Sequence, residues 1–279
     1  MSEISAGQVK ELREMTGLGM MECKKALTES GGDLRKAEEI LRIRSGARAS
    51  KAAGRIASEG VIGAWLAPDA RLGALVELNC ETDFVAKNEV FLAFARALAE
   101  TAAKSNAADV AALGALPMDG ATVEARRQAL VQKIGENISI RRLQRLQTGA
   151  KLAQYVHGAR IGVLVEYEGA DDVGKDLAMH VAFARPAYLT KAEVPAQIVA
   201  REREILQARA NESGKPPEIV ARMVEGGLKK FLGEITLLGQ PFVKDDKQSV
   251  EKMLAARKSR VLGYRFLVLG EGLAKRSAD

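Results

Sequence analysis

A seven-residue apolar segment that occurs twice sets the strongest limit on how this chain can fold. Arg71-Leu72-Gly73-Ala74-Leu75-Val76-Glu77 recurs as Arg160-Ile161-Gly162-Val163-Leu164-Val165-Glu166, and Ala93-Phe94-Ala95-Arg96 recurs at the same offset as Ala182-Phe183-Ala184-Arg185. Two distant blocks in register argue for an internal duplication. Each copy reads as a β-hairpin followed by a helix. In the first, Val61 to Leu66 and Arg71 to Leu78 flank a Pro68-Asp69 turn, and in the second, residues 152–157 and 160–167 flank Gly158-Ala159. After the first hairpin, Val90, Phe91, Phe94, Leu98 and Ala102 keep helical spacing. The expected centre of the molecule is therefore a pair of related α+β halves, each an antiparallel sheet covered by helices. Only 4% of the residues are aromatic, so the core must be Leu, Val, Ile and Ala, which suits helices packed on a sheet.

Around that centre the periodicity is helical. Ser5-Ala6-Gly7-Gln8 spells a capping box opening a helix through Met15, Thr16 to Gly19 break it, and a second helix runs from Met20 to Ser30. After Gly31-Gly32, Asp33 caps a third helix through Ile43. These three make a small bundle. Residues from Ser45 to Arg55 are small and basic without an apolar face, which marks a connector. Ala121 to Ile134 reads as a helix and Asn137 to Leu146 as a strand. Beyond Pro186, two helices flank Ser213-Gly214-Lys215-Pro216-Pro217, with Ile198, Ile205, Leu206, Ile219, Val220, Met223, Leu228 and Phe231 as a thin seam. Charged flanks suggest that this pair projects. Glu234 to Leu238, Val250 to Ala256 and Val261 to Leu269 read strand, helix, strand, and Leu273 to Asp279 a short tail. The expected units are a bundle over 1–46, a basic linker over 47–59, a first core half over 60–148, a second half over 149–187 and 233–279, and a helical hairpin over 188–232 inserted in it.

At the end of the first hairpin, Glu77-Leu78-Asn79-Cys80-Glu81-Thr82-Asp83-Phe84-Val85-Ala86-Lys87-Asn88 places an aromatic at a strand-to-helix turn. Thr82 and Asp83 are good N-cap types and Asn88 is a second cap candidate. A ring at such a boundary either folds inward as core or projects as an anchor for a partner. The repeat pairs Asp83 with Asp172 but Phe84 with Val173 and Val85 with Gly174. The second copy thus folds without the aromatic, which shifts weight toward recognition.

Several chemistries lack their residues. There is no G-x-x-x-x-G-K followed by Ser or Thr, and no strand-following G-x-G-x-x-G, so nucleotide binding by those devices is not expected. Only two histidines occur, His157 and His180, with no H-E-x-x-H and no Cys/His cluster, so neither a metal nor a cofactor is expected. Cys23 and Cys80 give no disulfide framework. A Cys80–His157 dyad would need a geometry that unrelated thiols and imidazoles seldom have. Met15, Met20 and Met21 read as adaptable filler of a core or a binding surface, and Lys24-Lys25 as a solvated helix face. A net charge of +6 admits acidic partners. Arg141, Arg142 and Arg145 either contact phosphates or form a solvated strand face, but the aromatic platform of an RNA binder is missing. With no run of about 18 apolar residues and no basic-then-apolar leader, a cytoplasmic protein is expected.

The blocks Val9-Lys10-Glu11-Leu12-Arg13-Glu14-Met15-Thr16-Gly17-Leu18-Gly19-Met20-Met21-Glu22-Cys23-Lys24-Lys25-Ala26-Leu27 and Asn79 to Asn88 closely resemble the bacterial elongation factor Ts family. Lys133 to Ile138, His157 to Leu164, Met179 to Ala182, Ser213 to Pro216 and Gly239 to Val243 are also similar, so the resemblance covers nearly the whole chain. It implies a guanine-nucleotide exchange factor for elongation factor Tu. It also implies a ubiquitin-associated-like three-helix module, a duplicated core and a protruding helical hairpin. By the same resemblance, Thr82, Asp83, Phe84 and Val85 disturb the magnesium site of the GTPase, and Arg13, Met20, Met21, Ile134 and His157 are further contacts. No catalytic residue, direct nucleotide binding, nucleic acid or membrane contact is implied, and a homodimer or a 2:2 complex with the GTPase stays open. Some members continue into a C-terminal helix that grips the partner, whereas this chain stops at Asp279.

Overall fold

Ser5 Oγ accepts from Gln8 N (3.2 Å) while Ser5 N donates to Gln8 Oε1 (3.1 Å), so the capping box forms as its spelling requires. In the computed structural model, which describes residues 4–274, the chain is a mixed α+β protein. It opens with three helices, α1 (Ala6–Thr16), α2 (Met20–Glu29) and α3 (Leu34–Ala52). Val9, Leu12, Leu18, Cys23, Ala26 and Leu27 bury the seam between them with Ala37 and Leu41. Then come β1 (Glu59–Leu66), β2 (Leu72–Cys80), α4 (Asp83–Ala86), α5 (Glu89–Lys104), α6 (Val110–Ala115), β3 (Pro117–Met118), β4 (Ala121–Thr122), α7 (Val123–Ile134) and β5 (Ser139–Gln147). The chain continues through β6 (Lys151–His157), β7 (Ile161–Glu168), α8 (Asp171–Ala184), α9 (Ala196–Asn211) and α10 (Pro217–Ile235). It closes with β8 (Pro241–Phe242), β9 (Asp245–Ser249), α11 (Val250–Ala256) and β10 (Arg260–Val268). The tail expected after Leu273 lies, beyond residue 274, outside the described residues.

Two three-stranded antiparallel sheets follow one scheme, β1-β2-β5 and β6-β7-β10, each with the second hairpin strand central. Their ladders break at matching repeat positions. The register shifts between Glu77 and Leu78 opposite β5, and between Glu166 and Tyr167 opposite β10. One face of each sheet carries a helix, α5 or α8, and the remaining faces meet through Ile62, Leu75, Leu164, Leu267 and Leu269. The repeat glycines allow that approach. A Cβ at Gly162 would lie 2.5 Å from Ile62 Cγ2, and one at Gly73 would lie 3.1 Å from Leu164 Cδ2. Reciprocal bonds also cross the junction: Ile62 N donates to Ala159 O (2.7 Å) and Leu152 N to Ala70 O (2.6 Å). Both alanines sit at hairpin turns in the left-handed region, with φ of 57° and 55°.

Four expectations need correction. The segment Glu234 to Leu238 is not a strand: α10 continues to Ile235, a 3-10 turn follows over Leu237–Gly239, and Thr236 between them makes an isolated bridge to Tyr188. The third helix does not end at Ile43 but runs through the supposed connector to Ala52, burying Ser45, Ala49 and Ala52. Small side chains there give a flat face to α7, where Ser45 Oγ bonds Gln132 Oε1 and Arg48 Nη1 donates to Gln132 O (3.3 Å). In the antiparallel pair α9–α10, Leu206, Ala210, Val220 and Val224 form the seam, while Ile198, Ile205, Ile219 and Met223 lie outside it with about two-fifths of their surface exposed. The arginines of β5 are neither a solvated face nor free for phosphates. Arg141 Nη1 and Arg142 Nε donate to Glu77 (3.1 and 2.6 Å), Arg142 Nη1 donates to Glu271 (2.9 Å), and Arg145 Nε donates to Ala103 O (2.8 Å).

Glu77 is fully buried. Burial raises its pKa, but the Gly270 amide (2.8 Å) and the two guanidiniums more than offset this, so the carboxyl sits below its ordinary value of 4.5. Stability from this group is present above pH 4.5 and is lost as pH falls through the lower folded value. Glu77→Gln should cost roughly 3 kcal/mol at neutral pH, because it strands two partly buried cations. Urea unfolding at falling pH should show the gap between parent and variant closing in acid.

Candidate functional site

Cys80 ends β2 with its thiol buried, donating to Thr82 O (3.2 Å), and burial pushes its pKa up to about 12. No thiolate is offered there. His157 is exposed at the end of β6 in the other sheet, its Nδ1 3.1 Å from Tyr155 Oη, so the two do not pair. His180 uses both ring nitrogens inside the second half: Nδ1 accepts from Val243 N (3.2 Å) and Nε2 meets Gln240 Oε1 (3.0 Å). Burial lowers its pKa and keeps it neutral.

Beyond Cys80 the chain leaves the sheet through two N-caps in close succession. Thr82 Oγ1 accepts from Val85 N (3.3 Å) to open the four-residue α4, and Asn88 Oδ1 accepts from Val90 N (3.0 Å) to open α5. Val85 and Ala86 turn inward against the first core. Phe84 points the other way and is 82% exposed. Of the two orientations open to that ring, the outward one is adopted. Asp83 pairs with Lys87 one turn later (2.7 Å), which holds its carboxyl below the ordinary value.

The turn is fixed from outside by Glu136, which follows the left-handed Gly135 that ends α7. Glu136 Oε2 accepts from Glu81 N (3.0 Å) and Thr82 N (3.1 Å), and Oε1 accepts from Thr82 Oγ1 (2.6 Å). In return Glu81 Oε1 accepts from Asn137 N (2.5 Å) and pairs with Arg55 Nε (3.1 Å). Arg55 Nη2 donates to Gly135 O (3.0 Å), and its own carbonyl accepts from Asn137 Nδ2 (2.8 Å). Residues just beyond α3, the turn and the end of α7 are thus tied at one point.

Of the residues singled out from the sequence, Ile134 lies half-buried at the end of α7, two residues before Glu136, so it joins Thr82, Asp83, Phe84 and Val85 in one region. Arg13, Met20 and Met21 are exposed on the N-terminal helices, the two methionines at 59% and 66%. A cleft of about 500 Å³ lies between the end of α1 and the first half, lined by Met15, Val90, Phe94 and Leu130 among others. His157 ends β6, two residues before Ala159, whose turn packs against the first core. Reading the sequence by residue missed Glu81, Glu136 and Arg55, whose partners lie up to 82 positions away; no local period signals such a contact. The region has neither an activated nucleophile nor a placed base. It offers a rigidly mounted apolar ring beside a carboxylate, which suits recognition. Among the described residues no cluster of three or more His, Cys, Asp or Glu could hold a metal, and no helix is long and apolar enough to cross a membrane.

Comparison with known proteins decides the family. A profile described as "Elongation factor TS" matches residues 81–271, from the first carboxylate of the turn to the glutamate paired with Arg142. The chain belongs to the elongation factor Ts family. It is 57% identical over 279 residues to elongation factor Ts of Bordetella petrii, covering 100% of this chain and 96% of that protein. Elongation factor Ts of Burkholderia multivorans is 58% identical over 280 residues, covering 100% of this chain and 95% of the relative. Both alignments of elongation factor Ts include the N-terminal helices, which the profile does not reach.

Thr82→Ala removes both the cap to Val85 and one of the bonds to Glu136. The loss should cost about 1 kcal/mol of global stability and open α4 locally. Amide exchange at Phe84 to Lys87 should accelerate well beyond that in α5; unchanged exchange there would contradict the cap's role.

Proposed function

We propose that this chain speeds GDP release from elongation factor Tu by presenting Phe84 to the GTPase, so that GTP can rebind. As a member of the elongation factor Ts family it is an exchange factor in translation elongation and not an enzyme. It makes and breaks no bond. The observation that carries the reading is the 82% exposed ring of Phe84 on a turn capped by Thr82 and clamped by Glu136. A bound Mg²⁺ in the partner demands near-ideal octahedral oxygen geometry and bridges protein to phosphates, so a small shift of its ligands loosens ion and nucleotide together. Phe84 enters an apolar slot between partner helices, with Thr82, Asp83 and Val85 around it, and biases the GTPase toward an open form.

The same reading gives the fold its finer description: a ubiquitin-associated-like bundle, a duplicated α+β core and a helical hairpin that protrudes from the second half. The matching strand orders and matching bulges support the duplication. Arg13, Met20, Met21, Ile134 and His157 make further contacts, and the place of Ile134 two residues before Glu136, which binds Thr82, supports its part in this. The protein acts in the cytoplasm, where elongation takes place.

A single aromatic anchor contributes about 2–4 kcal/mol, or roughly 30- to 1,000-fold in release if fully coupled. Phe84→Ala should slow GDP release from elongation factor Tu within that range, followed by fluorescent-nucleotide stopped flow. Circular dichroism and the melting temperature should stay those of the parent, since the ring buries almost nothing at home. A folded variant that releases GDP at the parent rate would refute the wedge.

A further inference from the structure

A helix of four residues has no stability of its own, because the first turn fixes several torsions for a single hydrogen bond. What holds the ends of α4 therefore sets the direction of Phe84. One end runs straight into α5, with Asn88 N donating to Val85 O (3.0 Å). The other is Thr82, and the geometry of Thr82 is dictated by a residue from a different element. From these contacts we infer that Glu136 is a positioning residue for the exchange reaction, fixing the angle at which Phe84 is offered to the GTPase; this rests on the reading of Phe84 as the wedge.

The two oxygens of Glu136 take three donors from the turn: the amides of Glu81 and Thr82 and the Thr82 hydroxyl. A hydroxyl has one hydrogen and can accept on the other side. With its hydrogen committed to Glu136 Oε1, the Thr82 hydroxyl has its lone pairs left for Val85 N–H, the bond that opens α4. Glu136 thus orients the cap as well as anchoring its backbone, and a charged acceptor strengthens each link in such a chain. Glu81 reaches back to Asn137 N and Arg55, so the strap is held in both directions. Neither carboxylate has to touch the partner to do this.

A residue that acts through Phe84 should lower the maximal rate of exchange and leave the concentration dependence little changed, because the other contacts still capture the GDP-bound GTPase. Glu136→Ala should reduce the saturating rate of GDP release about 10- to 100-fold, less than or equal to removal of the ring itself. Glu136→Gln retains an acceptor for the two amides but not for the hydroxyl, so it should fall between alanine and the parent and keep the parent fold by thermal melting. The deciding measurement is the double-mutant cycle with Phe84→Ala. Glu136→Ala or Glu136→Gln added to Phe84→Ala should give no further loss. Equal fold losses with and without the ring would overturn the positioning role while leaving the wedge intact. A Phe84→Ala single variant that exchanges at the parent rate would overturn both.

Discussion

An exposed benzyl group can do mechanical work on a neighbour only if its own mount does not yield first, and the mount here is one turn of helix. The decisive interaction is therefore the crossing of two carboxylates, Glu136 onto the amides and hydroxyl of the 81–82 turn and Glu81 onto Asn137 N and Arg55. Each oxygen that accepts a backbone N–H removes a direction in which the turn could bend. Val85 and Ala86 add the apolar half of the grip by packing into the first core. The ring can then stay outside at little cost to folding, since its neighbours and not itself hold the segment.

The scaffold behind that mount is stiff for a separate reason. Two sheets with the same strand order meet face to face, and each central strand contributes a glycine against which the other sheet's leucine or isoleucine packs. Hairpin-turn carbonyls held in the left-handed region pair with amides of the opposite half. Glu77 joins the first sheet to the end of the last strand through Arg141, Arg142 and the Gly270 amide. Close-packed interiors do not deform gradually, so under the proposed wedge a load on Phe84 would be passed on in preference to being absorbed.

Features that depend on nearest neighbours were readable from the chain itself. The Ser5–Gln8 capping box, the Asn88 cap and the hairpins around Asp69 and Gly158 are local chemistry, and they appear where residue types place them. Long-range features were not readable. Ser45, Ala49 and Ala52 are too small to show an apolar period, and their helix is stabilised by α7, some eighty positions away. Ile198, Ile205, Ile219 and Met223 look like seam residues by type, yet the seam forms one position later in each helix. The arginines of β5 read as a surface because nothing in their own strand announces Glu77. At the candidate site the repeat isolated Phe84 by its absence from the second copy, while Glu136 gave no sign until the fold brought it across.

Linkage makes the coupling between Phe84 and the nucleotide measurable. If Phe84 couples to the nucleotide site, nucleotide must weaken binding of this chain by the factor by which the chain weakens nucleotide. The measurement is the affinity of the parent and of Phe84→Ala for elongation factor Tu, free of nucleotide and loaded with GDP and Mg²⁺. The ratio of the two affinities should be large for the parent and should shrink by roughly 30- to 1,000-fold in the variant, with the loss confined to the nucleotide-free form. The same ratio for both proteins would mean that the coupling passes through some other contact and that Phe84 is not the wedge.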